Sequence, residues 1–231
     1  MYFFDPLYFI ILAPGLLLSL WASWRTKSAF SRYSRVRVAS GLTGAQAAAR
    51  LLEMAGIGDV RVVQTSGFLS DHYNPVNKTL ALSPDVYRMP SIAAVGVACH
   101  EAGHAIQHAR GYAPIWLRSV LVPTANIGSS LGYIVMVIGL LMQSMGLFLV
   151  GVVLFSMVLL FQLVTLPVEF DASSRAKRLA FEHGLVTSAE RDGMARVLSA
   201  AAMTYVAAVV STLLTLLYFL MRAGFLGGRD D

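Results

Sequence analysis

The chain alternates long apolar stretches with two polar ones, and this pattern predicts a membrane protein. Residues 7–24 and 198–221 hold no charged side chain, and none occurs between Arg118 and Glu169. About 20 apolar residues in a helix cross the hydrocarbon core of a bilayer. We therefore expect about four transmembrane helices: one in residues 1–24, a hairpin of two in residues 117–167, and one in residues 198–222.

The first apolar stretch has an alternative interpretation as a cleaved signal peptide. Such a peptide has basic residues before its apolar core and a small-x-small cleavage site after it. Here Asp5 precedes the stretch, and Arg25 and Lys27 follow it at once. This order of charges favours a retained membrane helix. The basic residues up to Gly41 fit either a helix on an anionic membrane surface or a solvated flank.

The two polar stretches, residues 25–116 and 168–197, carry the signals of folded modules, and residues 223–231 form a short tail. The second stretch has helical character and contains a second capping-box pattern at Thr187. The first predicts, in chain order, a helix opened by a capping box at Thr43 and Gln46, a strand at 60–65, a loop at 66–78, a strand at 79–83, and a helix from Pro90 to Gly111.

Charge placement predicts the orientation of the helices. Of the 18 Lys and Arg residues, 11 lie in residues 25–118 and 5 in residues 168–197, whereas the hairpin tip at 143–146 has none. Cytoplasmic loops of membrane proteins carry an excess of Lys and Arg. Both polar stretches are therefore expected in the cytoplasm and both termini outside. The cations form no patch with interleaved aromatic residues, so we expect no nucleic-acid partner.

A short histidine motif predicts metal chemistry. Residues 98–108 read Ala-Cys-His-Glu-Ala-Gly-His-Ala-Ile-Gln-His. Residues four apart lie on one face of a helix, so His100 and His104 can face the same metal ion. Glu101 stands beside them, where it can take a proton from water without occupying a coordination position. The motif therefore predicts a zinc-dependent peptidase with Glu101 as the general base.

A catalytic zinc ion usually has three protein ligands, so a third ligand is needed. His108 is excluded because eight helical residues carry it about 12 Å along the axis from His100. Cys99 is unsuitable because consecutive helical positions diverge by about 100°. The third ligand must come from a polar stretch on the same side of the membrane. Glu169, at the mouth of the third span, is the leading candidate, and the alternatives are Asp171, Glu182 and His183.

The histidine motif and the stretch Glu169-Phe-Asp-Ala-Ser173 together resemble the YugP-like neutral zinc metallopeptidases of bacterial membranes. Leu69-Ser-Asp-His-Tyr-Asn-Pro75 and Leu82-Ser-Pro-Asp-Val-Tyr87 fit the same resemblance, which covers nearly the whole chain. More distantly, the arrangement is similar to the HtpX heat-shock proteases and the CAAX prenyl proteases. The resemblance implies that Glu169 is a zinc ligand, as in gluzincins.

The resemblance also implies roles for neighbouring residues. The distant relatives have an Asp that orients a histidine where this chain has Ser173, so Asp71 or Asp171 is a candidate for the missing carboxylate. Residues 79–83 would form the edge strand that pairs with an extended substrate. His72 would stabilise the oxyanion, with Tyr87 and Arg175 as alternatives. His72 has a second interpretation, in which it only bonds to the turn around Asn74.

These observations predict a mainly α membrane protein with a small α+β zincin-like module that carries the histidine motif. We expect a multi-pass zinc endopeptidase of the bacterial plasma membrane with its site at the cytoplasmic face. Its substrates would be proteins or peptides, including membrane or misfolded proteins. A site inside the bilayer is disfavoured because residues 92–99 are too short to cross it. The alternative function is a non-catalytic zinc-binding scaffold or accessory protein of the membrane.

Overall fold

The computed structural model describes residues 5–225, and most of them are helical. Within these residues, four helical stretches are long and apolar enough to cross a membrane, as the apolar pattern predicts. They are α1 (Pro6–Ser34), α5 (Ala113–Ile127) continued by a π-helical turn (Gly128–Gly132) into α6 (Tyr133–Leu141), α7 (Met145–Glu182) and α8 (Ser188–Arg222). Residues 226–231 of the predicted tail and residues 1–4 lie outside the described part of the chain.

The first helix extends well beyond its apolar stretch. It ends at Ser34 and not near residue 24, because residues 16–40 contain neither of the helix breakers glycine and proline. Its basic residues therefore continue the first helix and do not form a separate surface helix. Beyond it, hydrogen bonds from Val38 N to Pro90 O and from Ile92 N to Val36 O tie the chain to the next module.

The α/β part follows α1. It consists of α2 (Gly44–Met54), β1 (Arg61–Gln64), β2 (His72–Asn74), β3 (Thr79–Leu82), α3 (Pro84–Arg88) and α4 (Ile92–Ala109). The predicted capping box is present, because Thr43 Oγ1 accepts from Gln46 N and Gln46 Oε1 accepts from Thr43 N. The motif helix α4 starts after its N-cap Ser91, and the predicted stop Gly111 has a φ of +62°.

The sheet corrects two expectations. Its strand order is β1-β3-β2, with β3 parallel to β1 and antiparallel to β2. The prediction that residues 79–83 form the edge strand is therefore wrong, because β3 is hydrogen-bonded on both sides and lies in the centre. The prediction that residues 66–78 form only a loop is also wrong, since His72–Asn74 pair with Thr79–Ala81 as the short edge strand β2.

Two compact units can be distinguished among the described residues. Residues 23–116 and 167–203 form one unit, and residues 5–22, 117–166 and 204–225 form the other. In the first unit, the core surrounds α4, which buries 14 of its 18 residues. Because α4 has so little exposed surface, each of its polar side chains needs a partner inside the unit.

The second unit consists of the apolar helical segments and is held by close backbone contacts. A Cβ atom on Gly128 would lie 2.2 Å from the carbonyl oxygen of Leu154, and one on Gly139 would lie 2.4 Å from the amide nitrogen of Phe148. Small residues at such points let helices approach closely where lipid provides no hydrophobic driving force. The apolar hairpin therefore packs backbone against backbone.

Candidate metal centre

The two motif histidines lie on one face of α4, one turn apart. Their ring centroids are 4.7 Å apart and the rings are nearly perpendicular, with an interplanar angle of 82°. His104 is buried and His100 is partly buried. This is the arrangement that the spacing of four residues predicts, and it leaves one nitrogen of each ring facing α7.

Glu169 of α7 completes the cluster. Its Oε2 atom lies 3.2 Å from His100 Nε2 and 3.5 Å from His104 Nε2. The side chain is only 2% exposed. Two ligand atoms bound at about 2 Å to a tetrahedral ion are themselves about 3.3 Å apart. The two distances match this spacing, so the three side chains could hold a single metal ion.

A glycine inside the motif brings α4 and α7 close enough for this contact. A Cβ atom on Gly103 would lie 2.8 Å from the carbonyl oxygen of Ala172, closer than real Cβ atoms come to backbone oxygen. Gly103 faces α7 one residue before His104, and Ala172 is three residues after Glu169. This role of Gly103 was not predicted, although its place between the two histidines indicates a position close to the metal.

The other ring nitrogen of each histidine, Nδ1, also has a hydrogen-bond partner. His100 Nδ1 lies 3.1 Å from Ser173 Oγ, and His104 Nδ1 lies 3.0 Å from Gln107 Oε1. Partners at Nδ1 fix the orientation of a ring whose Nε2 binds metal. Ser173 thus contacts a histidine at the position where the distant relatives have an Asp. The contact of Gln107 was missed.

Comparisons with known proteins agree with this geometry. A family described as "Putative neutral zinc metallopeptidase" matches residues 8–224. The chain belongs to this family. It is also 44% identical over 225 residues to the "Putative membrane protease YugP" of Bacillus subtilis (strain 168), covering 97% of this chain and 99% of the relative. No solved structure matches the chain significantly.

Membership in the zinc metallopeptidase family identifies the metal. Zinc prefers imidazole nitrogen and carboxylate oxygen, the donors that His100, His104 and Glu169 offer within 4.8 Å of one another. The sulfur of Cys99 is not part of this set. Cys99 is fully buried, and burial raises the pKa of its thiol to about 12, so it packs as an apolar residue.

The electrostatics of the site favour a cation. Glu101 follows His100 in α4 and is only 8% exposed. Burial by itself lowers the pKa of His104, but the hydrogen bond to Glu169 and the negative charge of Glu101 outweigh it, so the pKa of His104 is raised. Two buried carboxylates therefore surround the imidazoles, and their negative charge stabilises a cation at this place.

The other candidate ligands lie in different surroundings. Within residues 5–225, the metal-competent cluster around the motif contains His100, His104 and Glu169. His108 is exposed and its Nδ1 lies 2.9 Å from the Tyr73 hydroxyl, in agreement with its predicted exclusion. Glu182 and His183 are exposed at the end of α7. Asp171 binds the side chains of Arg175 and Gln107.

Two further candidates lie near β2. His72 is exposed, and its Nδ1 lies 2.9 Å from the carbonyl oxygen of Ser70. Its oxyanion role stays a prediction. Asp71, a candidate for the carboxylate that Ser173 replaces, instead accepts hydrogen bonds from the backbone and hydroxyl of Ser83. These bonds hold the loop before β2 against the end of β3.

Proposed function

We propose that this protein is a membrane-anchored, gluzincin-like zinc endopeptidase with its site at the cytoplasmic membrane face. His100, His104 and Glu169 would hold the zinc ion. The observation that carries the proposal is the convergence of both Nε2 atoms on Glu169 Oε2, at 3.2 and 3.5 Å, beside the buried Glu101. A purely structural zinc site would instead be closed by four protein ligands.

Glu101 would act as the general base. Zinc, when bound in such a site, polarises the scissile carbonyl and lowers the pKa of water towards 7. Glu101 takes a proton from the attacking water as the oxygen of that water bonds to the carbonyl carbon. It then delivers this proton to the amide nitrogen as the carbon–nitrogen bond breaks.

The substrate would pair with β2. This strand is an edge of the sheet, and the Tyr73 hydroxyl contacts His108, one turn beyond His104 on α4. An extended peptide added to β2 would therefore run beside the motif helix. The resemblance implies His72 as the oxyanion donor, with Tyr87 and Arg175 as its alternatives. Side chains alternate along a strand, so His72 faces the side of β2 opposite to Tyr73 and its contact on the motif helix, which counts against His72.

The cytoplasmic position is supported by the charge pattern. Residues 25–118 hold 11 Lys and Arg residues and contain the motif, and residues 168–197 hold 5 and contain Glu169. The positive-inside rule puts both stretches on the cytoplasmic side. There the site would act on protein or peptide substrates, including membrane or misfolded proteins.

Casein cleavage by the purified full chain tests the proposal. Glu101→Gln should abolish cleavage and retain zinc, because the amide cannot take up the proton and Glu101 is not a ligand. Glu53→Gln, on an exposed position of α2, is the matched control and should cleave like the wild type. Wild-type protein that binds zinc but cleaves neither casein nor a broad peptide library would instead support the non-catalytic scaffold.

A further inference from the structure

Gln107 is a buried amide with no role in the chemistry described so far. It lies in α4 one turn after His104, and its side chain is 0% exposed. Burying an amide without hydrogen bonds is unfavourable, so such groups are normally fully bonded. In an apolar, alanine-rich helix, a leucine would fill the same volume without this requirement. Gln107 therefore has a function that depends on its polar atoms.

The partners of Gln107 fix the direction of its amide. Nε2 lies 2.8 Å from the carbonyl oxygen of Val168 and 2.8 Å from Asp171 Oδ2. Both partners only accept hydrogen bonds, so the amide nitrogen of Gln107 must face them. Oε1 is then left to face His104 Nδ1 at 3.0 Å. The orientation of this amide follows from its environment and needs no assumption about the histidine.

The direction of the amide determines the tautomer of His104. Because Oε1 can only accept, His104 Nδ1 must carry the hydrogen and donate it. In the neutral ring, Nε2 is then the unprotonated nitrogen, and its electron pair points to the side of Glu169, where a metal ion would bind. This is the form of imidazole that binds zinc. Ser173 does not determine the tautomer of His100, because a hydroxyl can either donate a hydrogen bond to Nδ1 or accept one from it.

The hydrogen bonds from Asp171 through Gln107 to His104 also let a negative charge act on His104. Asp171 accepts from Gln107 Nε2 and from Arg175 Nε through the same Oδ2 atom. Arg175 in turn lies 5.6 Å from the centre of the Tyr112 ring, which helps to hold it in place. The Asp171 carboxylate polarises the amide, which makes Oε1 a stronger acceptor for His104. The bond to Val168 ties the same amide to the α7 backbone next to Glu169.

We propose that Gln107 is a positioning residue for the zinc site, which fixes the tautomer of His104 and transmits to it the charge of Asp171. This inference rests on the proposed function in that it takes His104 and Glu169 as zinc ligands. In this chain, the supporting carboxylate would act on His104 through an amide, while His100 has the neutral Ser173. Outer-shell partners of this kind change metal affinity by about 10- to 100-fold.

Zinc affinity of the purified full chain, measured by competition with a chromogenic chelator, tests the proposal. Gln107→Leu keeps the volume and removes both hydrogen-bonding groups, and it should weaken zinc binding about 10- to 100-fold. The matched control is Gln162→Leu, at a glutamine whose Oε1 is buried without a partner among the described residues, and it should leave zinc affinity unchanged. Equal affinity of Gln107→Leu and wild type would overturn the proposal.

A charge swap separates positioning from mere filling of space. Gln107→Glu alone sets a carboxylate against Asp171 and the Val168 carbonyl, so zinc affinity should fall. Adding Asp171→Asn supplies an amide donor to the new carboxylate, whose other oxygen accepts from His104, and should restore part of the affinity, since only the Val168 carbonyl then still opposes the carboxylate. The d–d absorption spectrum of the Co²⁺-substituted protein should change and recover in parallel. Failure of the second substitution to restore either readout would contradict the proposal.

Asp171→Asn alone covers the case in which the Gln107 variants do not fold. Asp171 is half-buried and asparagine has nearly its volume, so the fold should persist while zinc affinity falls about 10-fold through loss of the charge. Unchanged affinity there would also overturn the inference. Failure of the proposed function is distinguishable: wild-type protein that binds zinc without cleaving casein would refute the peptidase and leave the role of Gln107 intact.

Discussion

The two sides of the metal centre hold their histidines in different ways. On the His104 side, Nδ1 meets the carbonyl end of a fully buried amide that is backed by the Asp171 carboxylate. On the His100 side, Nδ1 meets the hydroxyl of Ser173, which carries no charge and can act as donor or acceptor. The side chain of His100 is also more exposed, at 14% against 8% for His104.

This difference shows that two histidines facing the same carboxylate can have hydrogen-bond partners of different kinds at Nδ1. Both Nε2 atoms lie at similar distances from the same oxygen of Glu169, so a metal ion there would be coordinated by two similar imidazoles. Only His104 has its tautomer dictated by neighbouring groups. We infer that His104 is the fixed ligand of the pair and that His100 keeps more freedom to adjust. Substitutions on the two sides should therefore differ in their effect on zinc binding.

The largest effect is expected from the residue that both sides share. Glu169→Ala removes the carboxylate that both imidazoles face, so zinc affinity should fall by more than the roughly 100-fold upper range of outer-shell changes. Metal content after dialysis against a weak chelator measures this. Glu182→Ala, at the exposed end of the same helix, is the control. Equal zinc content in Glu169→Ala and wild type would contradict the ligand assignment.

The second-largest effect is expected from disturbing the close contact between α4 and α7 at Gly103. Gly103→Ala puts a methyl group 2.8 Å from the Ala172 carbonyl oxygen, so the helices must separate. Such overpacking costs about 1–3 kcal/mol, and zinc affinity should fall with it. Gly96→Ala in the same helix meets only the flexible Met194 side chain at 3.2 Å.

Thermal unfolding and zinc titration compare the two glycine variants. Alanine gains up to about 1 kcal/mol over glycine within a helix, which should leave Gly96→Ala close to wild type in both measurements. Gly103→Ala should unfold at a lower temperature and bind zinc more weakly. Similar behaviour of the two variants would show that the close approach at Gly103 does not shape the site.

A smaller effect is expected from substitution of Ser173, the partner of His100 Nδ1, than from substitution of Gln107, the partner of His104 Nδ1. Ser173→Ala should weaken zinc binding by only a few-fold, less than Gln107→Leu, because a neutral hydroxyl contributes less than a charge-backed amide. Ser173→Asp should strengthen binding, since a carboxylate accepts the Nδ1 hydrogen of His100 and stabilises its tautomer. Chelator competition ranks the three variants. A larger loss for Ser173→Ala than for Gln107→Leu would reverse the comparison.

The smallest effect concerns Asp71, which holds a loop and not a histidine. Burial raises the pKa of Asp71 in spite of its bonds to Ser83, so the folded protein holds this proton more tightly than the unfolded chain. Ionised Asp71 therefore lowers the free energy of unfolding progressively as the pH rises past the ordinary value of about 4. Asp71→Asn removes this loss and keeps an acceptor for Ser83.

The unfolding temperature of Asp71→Asn should thus exceed that of wild type by a margin that grows as the pH rises above about 4 and levels off above the raised pKa of Asp71. Its zinc affinity should stay within about two-fold of wild type, in contrast to Asp171→Asn. Measurement of both variants by thermal unfolding and chelator competition checks the sign and the contrast. Loss of zinc binding in Asp71→Asn would identify it as the carboxylate that supports His100.

Much of the fold is encoded in patterns that span many residues. The four apolar stretches predict the four long helices, and the capping box at Thr43 and the stop at Gly111 are present. The short strand β2 (His72–Asn74) was missed because its three residues are too few to show a periodicity and lie among the turn-forming residues Gly67, Asn74 and Pro75. The prediction that residues 79–83 form the edge strand was wrong because the neighbours of a strand depend on packing and not on local sequence.

The site was predictable to the extent that chemistry limits ligand types. The spacing of His100 and His104 predicts the first two ligands, and the position of Glu169 at the mouth of the third span made it the leading candidate for the third. The role of Gln107 was not predicted because glutamine has no characteristic metal chemistry. Its signal was its position three residues after His104, on the same face of the helix, and the burial of α4 gives this position its meaning.

X-ray absorption spectroscopy at the zinc edge of the purified wild-type chain tests the central claim most directly. Coordination by His100, His104 and Glu169 predicts a first shell of nitrogen and oxygen at about 2.0–2.2 Å, with outer scattering from two imidazole rings and no sulfur at about 2.3 Å. A sulfur shell, or a shell with fewer than two imidazoles, would contradict this coordination and the catalytic account that depends on it.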